Sequence, residues 1–254
     1  MRAILTYHSI DDSGSPVSCH PEAFARHVEW LASGRVRVTT IDDLVQLPAG
    51  ADAVALTFDD GFVNFGEVAA PRLLDRGLPV TVFVVADLAG TANTWDAGPN
   101  RVSPELPLLD WSALVRLQER GVTLGAHSRT HPDLTRLDPS ALDEEVRGCA
   151  DRMEERSGRR PDVFAYPYGQ RDGASTQAVA RTFRWACTTE FRTLETPAPP
   201  VALPRLDMYY FQQPRSLDDW GTARFNARIT VRSGLRRARK LATALTAGPG
   251  AQTS

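Results

Sequence analysis

Cysteine and histidine are scarce in this chain, and their scarcity narrows its chemistry. The 254 residues hold three cysteines, Cys19, Cys149 and Cys187, far apart and with no CxxC pair. That excludes a disulfide framework and a thiolate zinc site, and leaves three reduced, buried thiols as the expectation. An excess of basic residues is missing: 29 Lys and Arg stand against 31 Asp and Glu, a net charge of −2. A general nucleic-acid binder is therefore not indicated, because phosphate contacts need clustered cations. No Gly-rich phosphate loop appears, so phosphoryl transfer has no support. Long apolar runs are also absent. The strongest, "LPVTVFVVA" from Leu78 to Ala86, is far too short to span a bilayer. The opening "MRAILTYHSIDD" lacks the apolar length and small-residue cleavage site of a secretory signal, and the cytoplasm is the expected location. There is no internal repeat of fixed period and no low-complexity segment.

What is present is an ordinary globular composition, 42% hydrophobic and 24% charged, able to bury a sizeable core. Short apolar runs alternate with helical periodicity. "RAILTY", "AVALTF", "PVTVFVV", "GVTLGA", "DVFAY", "RWACTT" and "VALPRL" read as buried strands. "PEAFARHVEWLASG" puts Phe24, His27, Val28 and Leu31 on one helical face and stops at Gly34. "DPSALDEEVRGCADRMEERSG" starts with Asp138 as N-cap and Pro139 as first helical residue, and ends at Gly158. Strand then helix, repeated, predicts a parallel α/β architecture. The stretch Thr91 to Pro107, rich in Pro, Gly, Asn and Trp, reads as a long loop over one end of the sheet. One domain is expected over 1–212, a basic helical extension over 213–245 and a disordered tail over 246–254. In the extension Arg224, Arg228, Arg232, Arg236 and Lys240 recur every four residues with no acidic residue among them, and Ser233-Gly234 is expected to weaken the helix at its middle. Such a stripe is a solvated helix face, or a surface for an anionic membrane or an acidic partner.

Three polar clusters fall at strand ends, where parallel α/β folds bind ligands. In "VALTFDDGF" two carboxylates, Asp59 and Asp60, end an apolar run. Successive strand residues face opposite sides, so a split role is natural, one carboxylate on a metal and the other toward a reacting group. A plain turn or helix cap is the alternative. In "GAHSRTH" His127 and His131 are two of only five histidines. If the segment turns helical, residues at i and i+4 share a face and two imidazoles meet one cation. Two His nitrogens and one Asp oxygen leave coordination positions open, a catalytic pattern. Zn²⁺ is the expected ion, with Co²⁺, Ni²⁺, Fe²⁺ or Mn²⁺ compatible. In "FAYPYGQRD" Pro167 and Gly169 fix a turn that would present the Tyr168 amide toward a cavity, or else form an ordinary strand–loop joint.

"TFDDGF", "HSRTH" and "YPYG", in this order, resemble the first three motifs of the polysaccharide deacetylases, carbohydrate esterase family four, over roughly residues 1–210. The resemblance implies a distorted (β/α) barrel of about seven strands and removal of N-acetyl, sometimes O-acetyl, groups from sugars. It implies that Asp60, His127 and His131 bind the metal, that Asp59 is the general base and that the Tyr168 amide helps hold the oxyanion. Two departures stand out. Family members carry an arginine two residues before the third motif's proline, where this chain has Ala165, and a C-terminal histidine as general acid, where no histidine follows His131. "TYHSID" resembles the start of the circularly permuted poly-N-acetylglucosamine deacetylases, whose acid histidine comes from the first strand, and His8 matches it. "LPRLDM" would likewise bring Arg205 to the place left by Ala165, beside Asp59.

The expected activity is therefore metal-dependent hydrolysis of an N-acetylated amino sugar, whether polymer, lipid-linked or small glycoside. The alternatives are an O-acetyl ester, a non-sugar amide, or a binding relative that has lost catalysis. His8 is otherwise a strand-end core histidine. Trp95 and Trp111 offer a stacking surface for a sugar ring, or core and lid packing.

Overall fold

The structure, a computed structural model, describes residues 1–96 and 103–246. Strand β1 (Arg2–Tyr7) leads through two short pieces, β2 (Ser9–Ile10) and β3 (Ser18–Cys19), into helix α1 (Pro21–Ala32). Next come β4 (Arg37–Thr39), α2 (Ile41–Gln46), β5 (Ala53–Phe58), α3 (Ala70–Leu74), β6 (Val80–Val84) and α4 (Trp111–Glu119). The chain continues through β7 (Thr123–Ala126), α5 (Pro139–Ser157), β8 (Val163–Ala165), α6 (Gly173–Thr182), β9 (Trp185–Cys187), β10 (Leu206–Asp207) and α7 (Ala223–Thr246).

Seven strands lie in the order β10-β1-β5-β6-β7-β8-β9. Every pairing is parallel, and the sheet curls into a half-barrel with helices around it. β4 fills the edge of β5 at Ala53–Ala55, just before β6 takes that edge over at Leu56. The expected strand "VALPRL" pairs only at its end. Pro204 has no N–H to give a ladder, and the preceding Leu203 makes an isolated bridge to Cys187. That bridge draws the segment before β10 against β9 and narrows the seam of the barrel.

Alternation along the strands sorts side chains into two cores. Ala3, Leu5 and Tyr7 of β1, and Val54, Leu56 and Phe58 of β5, pack outward with the helices. Ile4, Ala53, Ala55, Phe83, Val163, Ala165 and Cys187 form the inner core. The same parity assigns Arg2 and Thr6 of β1, Thr57 of β5, and His8 and Asp59 just beyond those strands, to the interior. Arg2 plugs the amino end, donating to the carbonyls of Leu44, Val45 and Leu47 at 3.2, 3.1 and 2.8 Å where α2 ends. Polar side chains thus gather at the carboxyl ends, where loops begin.

Helix ends follow their local chemistry. The Asp138 carboxylate accepts from the Ser140 and Ala141 amides at 2.9 and 3.0 Å, and Gly158 closes α5 with φ 72°. Ser233-Gly234 lies within α7, which runs continuously over 24 residues. One interior glycine costs about 1 kcal/mol, too little to break a helix of that length. The three cysteines are free and buried. Of the expected loop over 91–107, residues 97–102 lie outside the described residues, as do 247–254 of the expected tail. The ends of that loop are held by an Ala92–Pro107 bridge and by the Asn93 side chain, which accepts from the Leu106 amide at 2.7 Å.

His27 ties α1 to the barrel. Its Nδ1 lies 3.2 Å from the Tyr7 hydroxyl and its Nε2 2.9 Å from the Phe211 carbonyl. The neutral ring satisfies both contacts, and burial pushes its pKa down to about 4. The unfolded chain therefore binds a proton that the folded chain refuses. The stability held above about pH 6.5 is lost as pH falls toward 4, by about 2 kcal/mol between pH 7 and pH 5. In urea denaturation at those two pH values, His27→Gln is expected to be less stable at pH 7 and to show a flatter pH response. An unchanged pH response in the variant would remove His27 as the cause.

Candidate active site

At the end of β5 the interior parity that holds Ala53, Ala55 and Thr57 also turns Asp59 inward. Both of its oxygens are taken by Arg205. Nη1 reaches Oδ1 at 2.6 Å and Nη2 reaches Oδ2 at 2.7 Å, a bidentate ion pair. Arg205 is 1% exposed, and its Nε donates to the Thr188 carbonyl at 3.0 Å. The two residues are 146 positions apart, so the sequence order alone conceals the contact. Burial disfavours a charged Asp59, but Arg205 and His8 outweigh it and hold the carboxyl well below the usual range. His8 is also close, its Nε2 3.7 Å from Asp59 Oδ2.

Simple alternation would send Asp60 outward. Instead it adopts φ 72° and Gly61 follows at φ 77°, a left-handed turn that returns the second carboxylate to the cavity. There Asp60 Oδ1 lies 3.4 Å from His127 Nε2 and 3.6 Å from His131 Nε2. All three residues are buried and their donor atoms lie within 4.8 Å of one another. His127 continues β7, and its Nδ1 donates to the Ala165 carbonyl at 2.7 Å, which leaves Nε2 as the atom facing Asp60.

The expected helical spacing of His127 and His131 is not what joins them. Residues 127–131 form no helix. Ser128 and His131 have φ 62° and 66°, and the Ser128 hydroxyl accepts from the His131 amide at 2.9 Å. A tight turn therefore brings the imidazoles to a 4.8 Å centroid separation, edge to face.

These residues fit a divalent ion. Ligand distances near 2.1 Å place the donors of a four-coordinate ion roughly 3.4 Å apart, close to the two separations from Asp60. Burial, then the neighbouring His127, push His131 down to about 3, so it is neutral as a ligand requires. Its Nδ1 is buried without a hydrogen-bond partner. Burial opposes a cation at His127, but Asp60 and Asp59 outweigh it and raise its pKa. The cluster thus contains a buried cation demand.

Aromatic rings frame this cluster. Tyr168 has φ 57° in the Pro167–Gly169 turn, and its ring meets His131 edge-on at 4.7 Å. Trp95 stacks on His131 at 4.5 Å. Trp111 is not brought here; it opens α4 and packs on the outer core. One residue was missed by sequence reasoning. Asp207, across from Thr6 in the β1–β10 register, interacts electrostatically with His8. Its signal was its place two residues after Arg205 in "PRLD", the same interior parity.

A family model for polysaccharide deacetylase matches residues 46–183, more than half of the chain. YxkH of Bacillus subtilis (strain 168) is 23% identical over 193 residues, covering 74% of this chain and 64% of its own length. The chain thus spans less than two thirds of that relative. Among solved structures, the Streptococcus pyogenes deacetylase PplD in complex with acetate has a TM-score of 0.68 at 20% identity, covering 81% of this chain and 91% of that one. IcaB from Ammonifex degensii has a TM-score of 0.67 at 20% identity, covering 86% and 93%. At those identities the structures share the fold. With the matched segment spanning both the twin aspartates and the histidine pair, the chain belongs to the polysaccharide deacetylase family.

Proposed function

We propose that this chain is a metal-dependent hydrolase that removes an N-acetyl group from an amino sugar. Its support is the separation of two adjacent carboxylates into different environments: Asp59 between Arg205 and His8, Asp60 between two imidazoles. Asp60, His127 and His131 would hold the ion, with Zn²⁺ first among the candidates for this donor set. When bound, it would supply Lewis acidity toward the acyl oxygen and lower the pKa of a water.

Asp59 would accept a proton from the attacking water. Arg205 fixes the carboxylate plane and keeps it ionised, which makes Asp59 a weak base. Each of its oxygens still has a lone pair beyond the one given to Arg205. The Tyr168 amide would donate to the oxygen on which charge develops, and one such donor contributes about 3 kcal/mol. His8, protonated, would donate to the departing nitrogen so that a neutral amine leaves. Its position within 3.7 Å of Asp59 supports this, since one carboxylate then lies close to both ends of the proton path. Trp95, stacked on His131, offers an aromatic face at the site to a sugar ring.

The test is to incubate metal-loaded protein with N-acetylglucosamine derivatives, with O-acetylated sugars alongside, and to read masses for loss of one acetyl. Loss from the amides is expected. Release from esters alone would move the assignment to an esterase, and bound metal without any release would make the chain a binding relative.

His8→Ala is expected to keep its metal and lose turnover by about 10²–10⁴-fold; near-wild-type turnover would eliminate His8 as the acid. His127→Ala is expected to lose both metal and activity, and full occupancy on metal analysis would refute the ligand set. Arg205→Met strands a buried charge on Asp59 and should destabilise the fold by about 3–5 kcal/mol in urea denaturation. Adding Asp59→Asn should recover part of that loss, whereas strictly additive losses would show that the pair is not coupled.

A further inference from the structure

α7 carries a surface that neither the barrel nor the proposed chemistry uses. Its inward stripe is Phe225 and Ile229, both buried, with Phe225 against Phe211 and Trp220 at 5.6 and 5.0 Å. Val231 and Leu235, one turn apart, are 64% and 58% exposed. With Tyr168 they are the exposed large apolar side chains among the described residues. Arg224, Arg228 and Arg232 lie on the same side of the helix. Together they line one wall of a groove of about 420 Å³, whose other wall is Phe191, Tyr210 and Phe211.

The charge on this face is only partly answered within the fold. Arg224 and Arg228 share a single carboxylate, Asp219, at 3.8 and 2.5 Å. Arg232 lies over the Tyr210 ring at 4.2 Å. The sequence adds Arg237, Arg239 and Lys240 and no acidic residue from 223 to 246. No helix among the described residues is long and apolar enough to cross a membrane; a basic helix with an exposed apolar pair has the chemistry of one that lies in an interface. On such a surface two apolar side chains would reach the acyl boundary, and the flanking guanidiniums would meet phosphates.

We propose that this face of α7 docks on an anionic lipid bilayer, with Val231 and Leu235 inserted and Arg224, Arg228 and Arg232 on the headgroups. Charge complementarity together with the exposed Val231 and Leu235 favours this occupant. A second copy of the chain, packed by the same face, would set arginine against arginine. An uncharged apolar partner would cover the guanidiniums without pairing them.

The full chain is mixed with sedimentable vesicles of phosphatidylcholine alone, or phosphatidylcholine with phosphatidylglycerol, at low and high salt. Partitioning to the anionic vesicles is expected, weakened by salt. Each arginine near an anionic surface strengthens partitioning about five-fold. The double variant Arg224→Glu/Arg232→Glu should therefore lose more than about ten-fold, and Val231→Asp/Leu235→Asp should lose binding as well. All four side chains are exposed, and an unchanged thermal midpoint verifies that the variants fold. Wild-type protein left in the supernatant at low salt, or variants that bind like wild type, would overturn the assignment. So would equal binding to the neutral vesicles. A lipid-free dimer dissolved by Val231→Asp/Leu235→Asp would give the face to a second copy instead. Retention on polyglutamate without vesicle binding would give it to an acidic partner.

Discussion

Taking a carboxylate and a guanidinium out of water costs several kcal/mol for each ion, and only close, fully bonded contact offsets it. Asp59 and Arg205 meet that condition with two parallel hydrogen bonds, a third from Arg205 to the Thr188 carbonyl, and the Phe83 ring 5.6 Å beneath the guanidinium. Arg205 sits between the Leu203 bridge to β9 and the start of β10. The pair therefore links the seam of the barrel to its β5 strand. Because Asp59 is held ionised and in one plane, the geometry of everything around it is fixed relative to a rigid charge.

From that fixed point the backbone decides what the next residue does. A strand that continued beyond Asp59 would point Asp60 toward the helices, away from His127. The left-handed turn at Asp60 and Gly61 reverses that direction within one residue. A non-glycine residue at positive φ is uncommon, and aspartate is among the types that tolerate it best. Asp60, Ser128, His131 and Tyr168 all have positive φ, and all belong to the loops of the site. Such conformations persist only where the surroundings hold them, and they gather where side chains must be aimed.

This explains what the sequence did and did not disclose. Strands were legible because buried parallel strands read as apolar runs, and α5 because Asp138, Pro139 and Gly158 each act locally. Residue types at strand ends marked Asp59, Asp60, His127 and His131. The way the histidines meet was not legible, since positive φ at Ser128 and His131 has no signature as strong as glycine. The Asp59–Arg205 contact was reachable only through likeness to a permuted family, because pairing across 146 residues depends on how β10 is laid beside β1. Asp207 escaped notice for the same reason: its meaning comes from its neighbour Thr6 and, beyond it, His8.

Arg236 gives the C-terminal helix a bearing on the catalytic end of the barrel. It lies 3.6 Å from Asp207, donates to the Tyr210 hydroxyl at 3.1 Å, and sits over the Phe191 and Tyr210 rings. Tyr210 and Phe191 are also walls of the groove beside Val231 and Leu235. One side of these rings thus faces the basic helix surface, and the cation packed on them reaches the carboxylate that neighbours His8. Burial raises the Asp207 pKa, while His8 and Arg236 oppose it.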